Sequence, residues 1–171
     1  MYIHKEKKIA FIAHPKTASL AMGQTLLGMG FEQIGSHHQF KEIWCLKHTF
    51  SVVRNPFDLF VSWYYSQPAK EGMTFAKWCH EIIRRPSPYA YVNDIFFGLK
   101  FSTDVLHFEN LQTDFDIFAK KVGLPQTELK RTNVSTRRAG CAFADCYTPE
   151  LIARVVSLFE KEILDNGYHI L

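Results

Sequence analysis

The sequence predicts an α/β fold in which helices flank a central parallel sheet, a three-layer α/β/α arrangement. Three observations carry that prediction. A short apolar run, Ile9 to Ala13, and a second strand-like run, Thr49 to Val53, are each followed by a turn signal and then by residues at helical spacing. Repeated strand–helix units of this kind pair their strands in parallel, and ligands are expected where strand C-terminal ends meet helix N-termini. The chain of 171 residues is 47% hydrophobic and 22% charged, enough for one domain (1–171) with a sizeable core and too apolar for disorder.

Taken in order, Ile9 to Ala13 reads as a strand ending at His14-Pro15. Thr17 to Met29 reads as a helix closed by Gly28 and Gly30. The second unit begins at His48: Thr49 to Val53 is a buried strand, Asn55-Pro56 a turn and helix start. Phe57, Phe60, Val61, Tyr64 and Tyr65 then mark one helical face. Thr74 to Ile83 predicts a short helix, Arg85-Pro86-Ser87-Pro88 a loop, and Thr103 to Phe108 a further strand. Leu111, Phe115, Phe118, Ala119 and Val122 share a helix face that ends at Gly123 and Pro125. A polar loop from about Gln126 to Asp145 carries Lys130, Arg131, Arg137 and Arg138. The last helix opens at Thr148-Pro149-Glu150, with Ile152, Val155, Val156, Phe159 and Ile163 on one side.

The charge balance excludes a general polyanion binder: lysine and arginine exceed the acids by 20 − 17 = 3, which suits one local anionic ligand and not nucleic acid. Cys45, Cys79, Cys141 and Cys146 form no Cys-x-x-Cys pair and read as reduced and structural, with a Cys141/Cys146 bridge left open for an oxidising compartment. The apolar run Ile9 to Ala13 is far too short for a signal core or a membrane span, so the chain as given reads as cytoplasmic.

The chemistry concentrates in two short segments. His14-Pro15-Lys16-Thr17-Ala18-Ser19 lies between a strand and a helix, where backbone N–H groups and the helix dipole favour an anion. Lys16 adds charge, and Thr17 and Ser19 add hydroxyl donors. A capped helix start with a solvated lysine fits those residues too. The second segment is Val53-Arg54-Asn55-Pro56-Phe57-Asp58, with Ser62 about two turns along the next helix. Arg54 has the forked geometry that a phosphate takes, and Ser62 is placed to serve the same oxygen atoms; an ion pair with Asp58 is the competing reading. Neither segment is a Walker A loop, since Gly-x-x-x-x-Gly-Lys-Ser/Thr is absent, and no strand-ending aspartate suggests a magnesium site.

Together the two segments resemble those of the PAPS-dependent sulfotransferase family. The family's 5′-phosphosulfate loop, Pro-Lys-Thr/Ser-Gly/Ala-Thr/Ser, reads here as Pro15, Lys16, Thr17, Ala18 and Ser19. Its 3′-phosphate motif, a strand-ending arginine followed eight positions later by a serine, reads as Arg54 and Ser62. Phe108-Glu109-Asn110-Leu111 is similar to the family's Tyr/Phe-Glu-Asp/Asn-Leu step. Asn133-Val134-Ser135 with Arg137, and Tyr147-Thr148-Pro149-Glu150, resemble its C-terminal segments. The departures are Leu20 and Ala21, where many members carry further hydroxyl residues, and the small size of the chain.

The resemblance implies a P-loop-NTPase-like sulfotransferase fold and metal-free, in-line transfer of a sulfuryl group. The donor is 3′-phosphoadenosine 5′-phosphosulfate (PAPS), the product adenosine 3′,5′-bisphosphate (PAP), and the acceptor a hydroxyl or amine on a carbohydrate or small molecule. Lys16 would meet the charge growing on sulfate and bridging oxygens, while Arg54 and Ser62 would hold the 3′-phosphate. Gly35-Ser36-His37-His38-Gln39-Phe40-Lys41-Glu42-Ile43 is similar to a family segment opened by the base histidine, which aligns His37 with that role and keeps His38 beside it. Arg137, Arg138 and Gly140 align with a basic segment that closes over the 3′-phosphate, or form a solvated loop. A His37/His38 metal site lacks a third ligand at useful spacing. Two other readings stand beside this one: a P-loop-like nucleotide-dependent phosphotransferase, and a PAPS- or PAP-binding module without turnover.

Overall fold

The structure is a computed structural model that describes residues 1–35, 45–67, 72–84, 98–130 and 142–171. It is α/β. Among these residues are five strands, β1 (Tyr2–His4), β2 (Ile9–Ile12), β3 (Glu32–Gln33), β4 (His48–Val53) and β5 (Asp104–His107). The helices are α1 (Ser19–Gly28), α2 (Pro56–Ser66), α3 (Phe75–Arg84), α4 (Leu111–Val122) and α5 (Pro149–Asp165). Contacts divide the chain into two compact units, residues 1–53 with 94–132 and residues 54–93 with 133–171.

In the first unit the strands form one sheet in the order β3-β1-β2-β4-β5. β2, β4 and β5 run parallel, in registers that pair Ile12 with Ser51 and Val53 with His107. The expected parallel sheet is thus only part of the sheet: β1 is antiparallel to both β2 and β3, so the sheet is mixed. The physical reason is a hairpin over Lys5 to Lys8, closed by the Lys8 amide on the Lys5 carbonyl at 3.2 Å with Lys8 at φ 55°. It folds a three-residue strand back against β2.

Alternation across the pleat separates two faces. Tyr2, Ile9, Phe11, Phe50 and Val52 meet Met22 and Leu26 of α1 and Phe115, Phe118 and Ala119 of α4 in the main core. Gly123, at φ 71°, ends α4 as its position in the sequence predicts, and turns Leu124 back into that core. The opposite face carries Ile3, Ala10 and Ile12 with Phe101. There β4 presents two polar residues, satisfied locally: Thr49 Oγ1 donates to the Phe101 carbonyl at 2.5 Å and Ser51 Oγ bonds Ser102 Oγ at 2.6 Å.

The second unit is built on aromatic rings. Asn55 caps α2 by accepting from the Phe57 amide at 2.9 Å, and Pro56 occupies the first turn, as the sequence signals. Phe60 packs on Trp78 of α3 and Phe159 of α5, with centroids 6.3 and 5.9 Å apart. The buried side of α5 is Leu151, Val155, Phe159 and Ile163, whereas the sequence pattern offered Ile152 and Val156, which are half-buried. Steps of four residues keep this row on one side through a bend at Phe159, whose φ of −132° is not helical. Cys45, Cys79 and Cys146 are in the thiol form, and Cys141, the other half of the bridge left open above, lies outside the described residues. No helix among the described residues is long and apolar enough to cross a membrane. The loop expected at Arg85 to Pro88 lies outside the described residues.

Gly98 opens a short 3₁₀ turn (Gly98–Phe101) and lies directly against His14: a Cβ built there would fall 2.1 Å from His14 Cε1 and 2.9 Å from Ile12 Cγ2. His14 is only 3% exposed and has little room to yield. Gly98→Ala is therefore expected to destabilise the fold by about 1–3 kcal/mol. Urea denaturation checks this, and unchanged stability would refute the close packing of His14.

Candidate functional site

The turn from β2 to α1 is bent by residues in an uncommon backbone conformation. Lys16 (φ 65°) and Ala18 (φ 58°, ψ 24°) both lie in the left-handed region, which non-glycine residues occupy at a cost of about 1–2 kcal/mol each. Between them Thr17 is fully buried, its hydroxyl donating to the His14 carbonyl at 3.0 Å, so the inside of the turn is fixed by its own backbone. Pro15, Lys16, Ala18 and Ser19 are half-buried. These conformations explain why the helix begins at Ser19 and not at Thr17 as its composition suggests. Turns that place left-handed residues beside ordinary ones gather successive N–H groups into an anion-binding concavity.

The start of α1 has the matching electrostatics. Ala18 supplies no side-chain cap and the first turn contains no acid, leaving the N-terminal dipole uncompensated by the helix itself. α2 and α5 begin differently. Asn55 caps α2, which has Asp58 in its first turn. Thr148 caps α5, which has Glu150, an exposed carboxylate held below the usual range by hydrogen bonds from its own backbone N–H and from Thr148. Leu20 and Ala21, the departures from the family pattern, are respectively 55% exposed and buried.

Arg54 follows the last residue of β4, and its guanidinium lies along Asp58. Nε and Nη2 donate to Asp58 Oδ2 at 2.7 Å each, and both side chains are nearly enclosed, 9% and 11% exposed. The ion pair considered from sequence is therefore present. Asp58 and Ser62 are four residues apart on α2 and share one helix face, which sets Ser62, half-buried, a turn beyond the pair. Close by, Tyr147 donates its hydroxyl to the Phe57 carbonyl at 2.8 Å, its ring against Phe57 and Phe75 at centroid distances of 5.2 and 5.1 Å. Burial, then Cys79, Cys146 and Asp58 in that order, push the Tyr147 hydroxyl far up, so it remains a donor. Burial also pushes the Cys79 thiol up, with Cys146 adding to it.

The structure thus sets Pro15, Lys16, Thr17, Ala18 and Ser19 at one turn and helix start, and places Arg54 just before the N-cap of α2, the helix that carries Ser62. His37, His38, Arg137 and Arg138 lie outside the described residues. The sequence reading left two contributors unrecognised: Gly98, whose packing against His14 has no local signal, and the Tyr147 bond to α2, which spans 90 positions. Trp63 and Trp78 pack on each other at 5.6 Å in the aromatic core of the second unit. A shallow cleft of about 260 Å³ lies between β5 and α4, and Asp104, His107, Asp114 and Lys121 line it. None of the candidate site residues named from the sequence lines it. Among the described residues no group of His, Cys, Asp or Glu is arranged to hold a metal ion.

The left-handed turn makes a direct prediction. Ala18→Gly should leave stability unchanged or raise it by about 1 kcal/mol, while Ala18→Val should cost about 1–2 kcal/mol. Chemical denaturation separates the two, and a destabilising glycine would contradict the turn geometry. No family model, no curated protein and no solved structure matches the chain.

Proposed function

We propose that the protein is a PAPS-dependent sulfotransferase with a three-layer, P-loop-like sulfotransferase fold, acting in the cytoplasm on a hydroxyl or amine of a carbohydrate or small molecule. One observation carries the reading: the turn after parallel strand β2 is held with Lys16 and Ala18 left-handed, at a helix start without side-chain cap or acid. That arrangement suits a phosphosulfate. It coincides with the segment, Pro15 to Ser19, in which the sequence resembles the family's 5′-phosphosulfate loop.

In this reading the acceptor oxygen or nitrogen attacks sulfur in line. The new bond to sulfur forms as the bond from sulfur to the 5′-phosphate oxygen breaks, releasing PAP. Lys16 and the N–H groups of the turn meet the negative charge that spreads onto bridging and sulfate oxygens. Arg54 and Ser62 hold the 3′-phosphate and so set the donor's register, with Arg137 and Arg138 closing over it. His37, or its neighbour His38, takes the acceptor's proton. The donor-binding module without turnover shares the first half of this scheme and differs only in the last step.

Calorimetric titration with PAP, beside AMP and ATP and without added metal, tests the reading. PAP is expected to bind at micromolar concentration and AMP far more weakly. Arg54→Ala should weaken PAP by at least about tenfold with little effect on AMP, and Lys16→Ala should abolish transfer while retaining part of the PAP affinity. Equal binding of PAP and AMP by the parent protein would sink the sulfotransferase reading and favour the phosphotransferase.

A further inference from the structure

Arg54 is held more firmly than a phosphate-binding arginine on a protein surface would be. Asp58 engages its Nε and one Nη through a single carboxylate oxygen, with both side chains nearly enclosed. Asp58 is itself fixed in the first turn of α2, whose backbone is tied down on both sides: the Phe57 amide donates to Asn55 and the Phe57 carbonyl accepts from Tyr147. Tyr147 in turn is wedged by Phe57 and Phe75. A planar guanidinium offers donors along more than one edge, so one edge can meet a carboxylate while another meets a phosphate.

Building on the sulfotransferase reading, we infer that Asp58 and Tyr147 are positioning residues for the 3′-phosphate. Asp58 fixes the rotation of the Arg54 guanidinium, and Tyr147 fixes the turn of α2 that carries Asp58. Selectivity for a 3′-phosphorylated nucleotide is then a property of this linked set and not of Arg54 alone. Loss of either partner leaves the charge of Arg54 in place but frees its orientation, so affinity falls only for ligands that carry the 3′-phosphate. The opposite arrangement, in which Asp58 competes with the phosphate for Arg54, makes the opposite prediction.

The test is calorimetric titration of the parent, Asp58→Asn and Tyr147→Phe with PAP and with AMP, alongside thermal unfolding of each. Asp58→Asn keeps the shape and removes the charge; Tyr147→Phe keeps the ring and removes the bond to Phe57. PAP affinity is expected to fall by about tenfold or more in the first and about threefold in the second, with AMP affinity held within about twofold, as is typical when the outer partner of a binding side chain is lost. If Asp58→Asn does not fold, Tyr147→Phe carries the test. Unchanged PAP affinity, tighter PAP binding by Asp58→Asn, or equal losses for PAP and AMP would each overturn the inference while leaving the parent's preference for PAP intact. A parent with no such preference would overturn the sulfotransferase reading itself, and this inference with it.

Discussion

A ladder of aromatic rings crosses the sheet of the first unit, and the geometry of that unit depends on it. Tyr2 of β1 lies against Phe11 of β2, Phe11 against Phe50 of β4, and Phe50 against Phe118 of α4, with centroids 6.1, 5.0 and 4.3 Å apart. Because side chains alternate strictly across the pleat, a slip of one residue in β2 or β4 would turn its ring to the other face and leave Phe118 without its partner. The ladder therefore fixes the register of β2 on β4, pairing Ile12 with Ser51. That register brings the C-terminal ends of both strands to the same edge of the sheet, where the turn of Lys16 begins.

The same constraint explains the polar face of β4. With Phe50 and Val52 committed to the ring side, Thr49 and Ser51 must point the other way, into a region closed by the Gly98–Phe101 turn. Their hydroxyls find a carbonyl and a serine there, so these two side chains are buried with their hydroxyls satisfied. Gly98 belongs to this closure and, by lying against His14, also supports the start of the β2–α1 turn. Packing of the sheet and conformation of the turn are thus joined through one glycine and one buried histidine.

How much of this was legible in the sequence follows from the range of each interaction. β2, β4 and α4 were readable because burial imposes a local pattern on them: an unbroken apolar run for β2, β-branched and aromatic residues closed by Asn55-Pro56 for β4, helical spacing and a terminal Gly123 for α4. The Arg54–Asp58 pair was readable because four residues is one turn of helix. β1 and β3 escaped, since three- and two-residue strands are too short to show a period, β1 folds back on β2 through a lysine-rich hairpin, and β3 reaches β1 only after α1. Tyr147 stood out as a motif residue, but nothing local says that its hydroxyl reaches Phe57. The left-handed turn left a partial trace: Pro15 to Ser19 marks a loop, yet no glycine announces the positive φ at Lys16 and Ala18.

That absence of glycine bears on what the two helix starts do. At α1 a strained turn, a lysine and an uncapped, acid-free first turn all act in the same electrostatic direction, toward negative charge. At α2 the helix end is already satisfied, by Asn55 on the Phe57 amide and by the Asp58 carboxylate near the dipole, so that end has little left to offer an anion. The polar side chains near that end are those of Arg54, just before the helix, paired with Asp58, and of Ser62 a turn further along. A buried Arg–Asp pair adds little net stability compared with apolar residues of the same shape. The two starts therefore differ in what they offer: α1 an end with neither side-chain cap nor acid, α2 an end already met by its own cap and carboxylate.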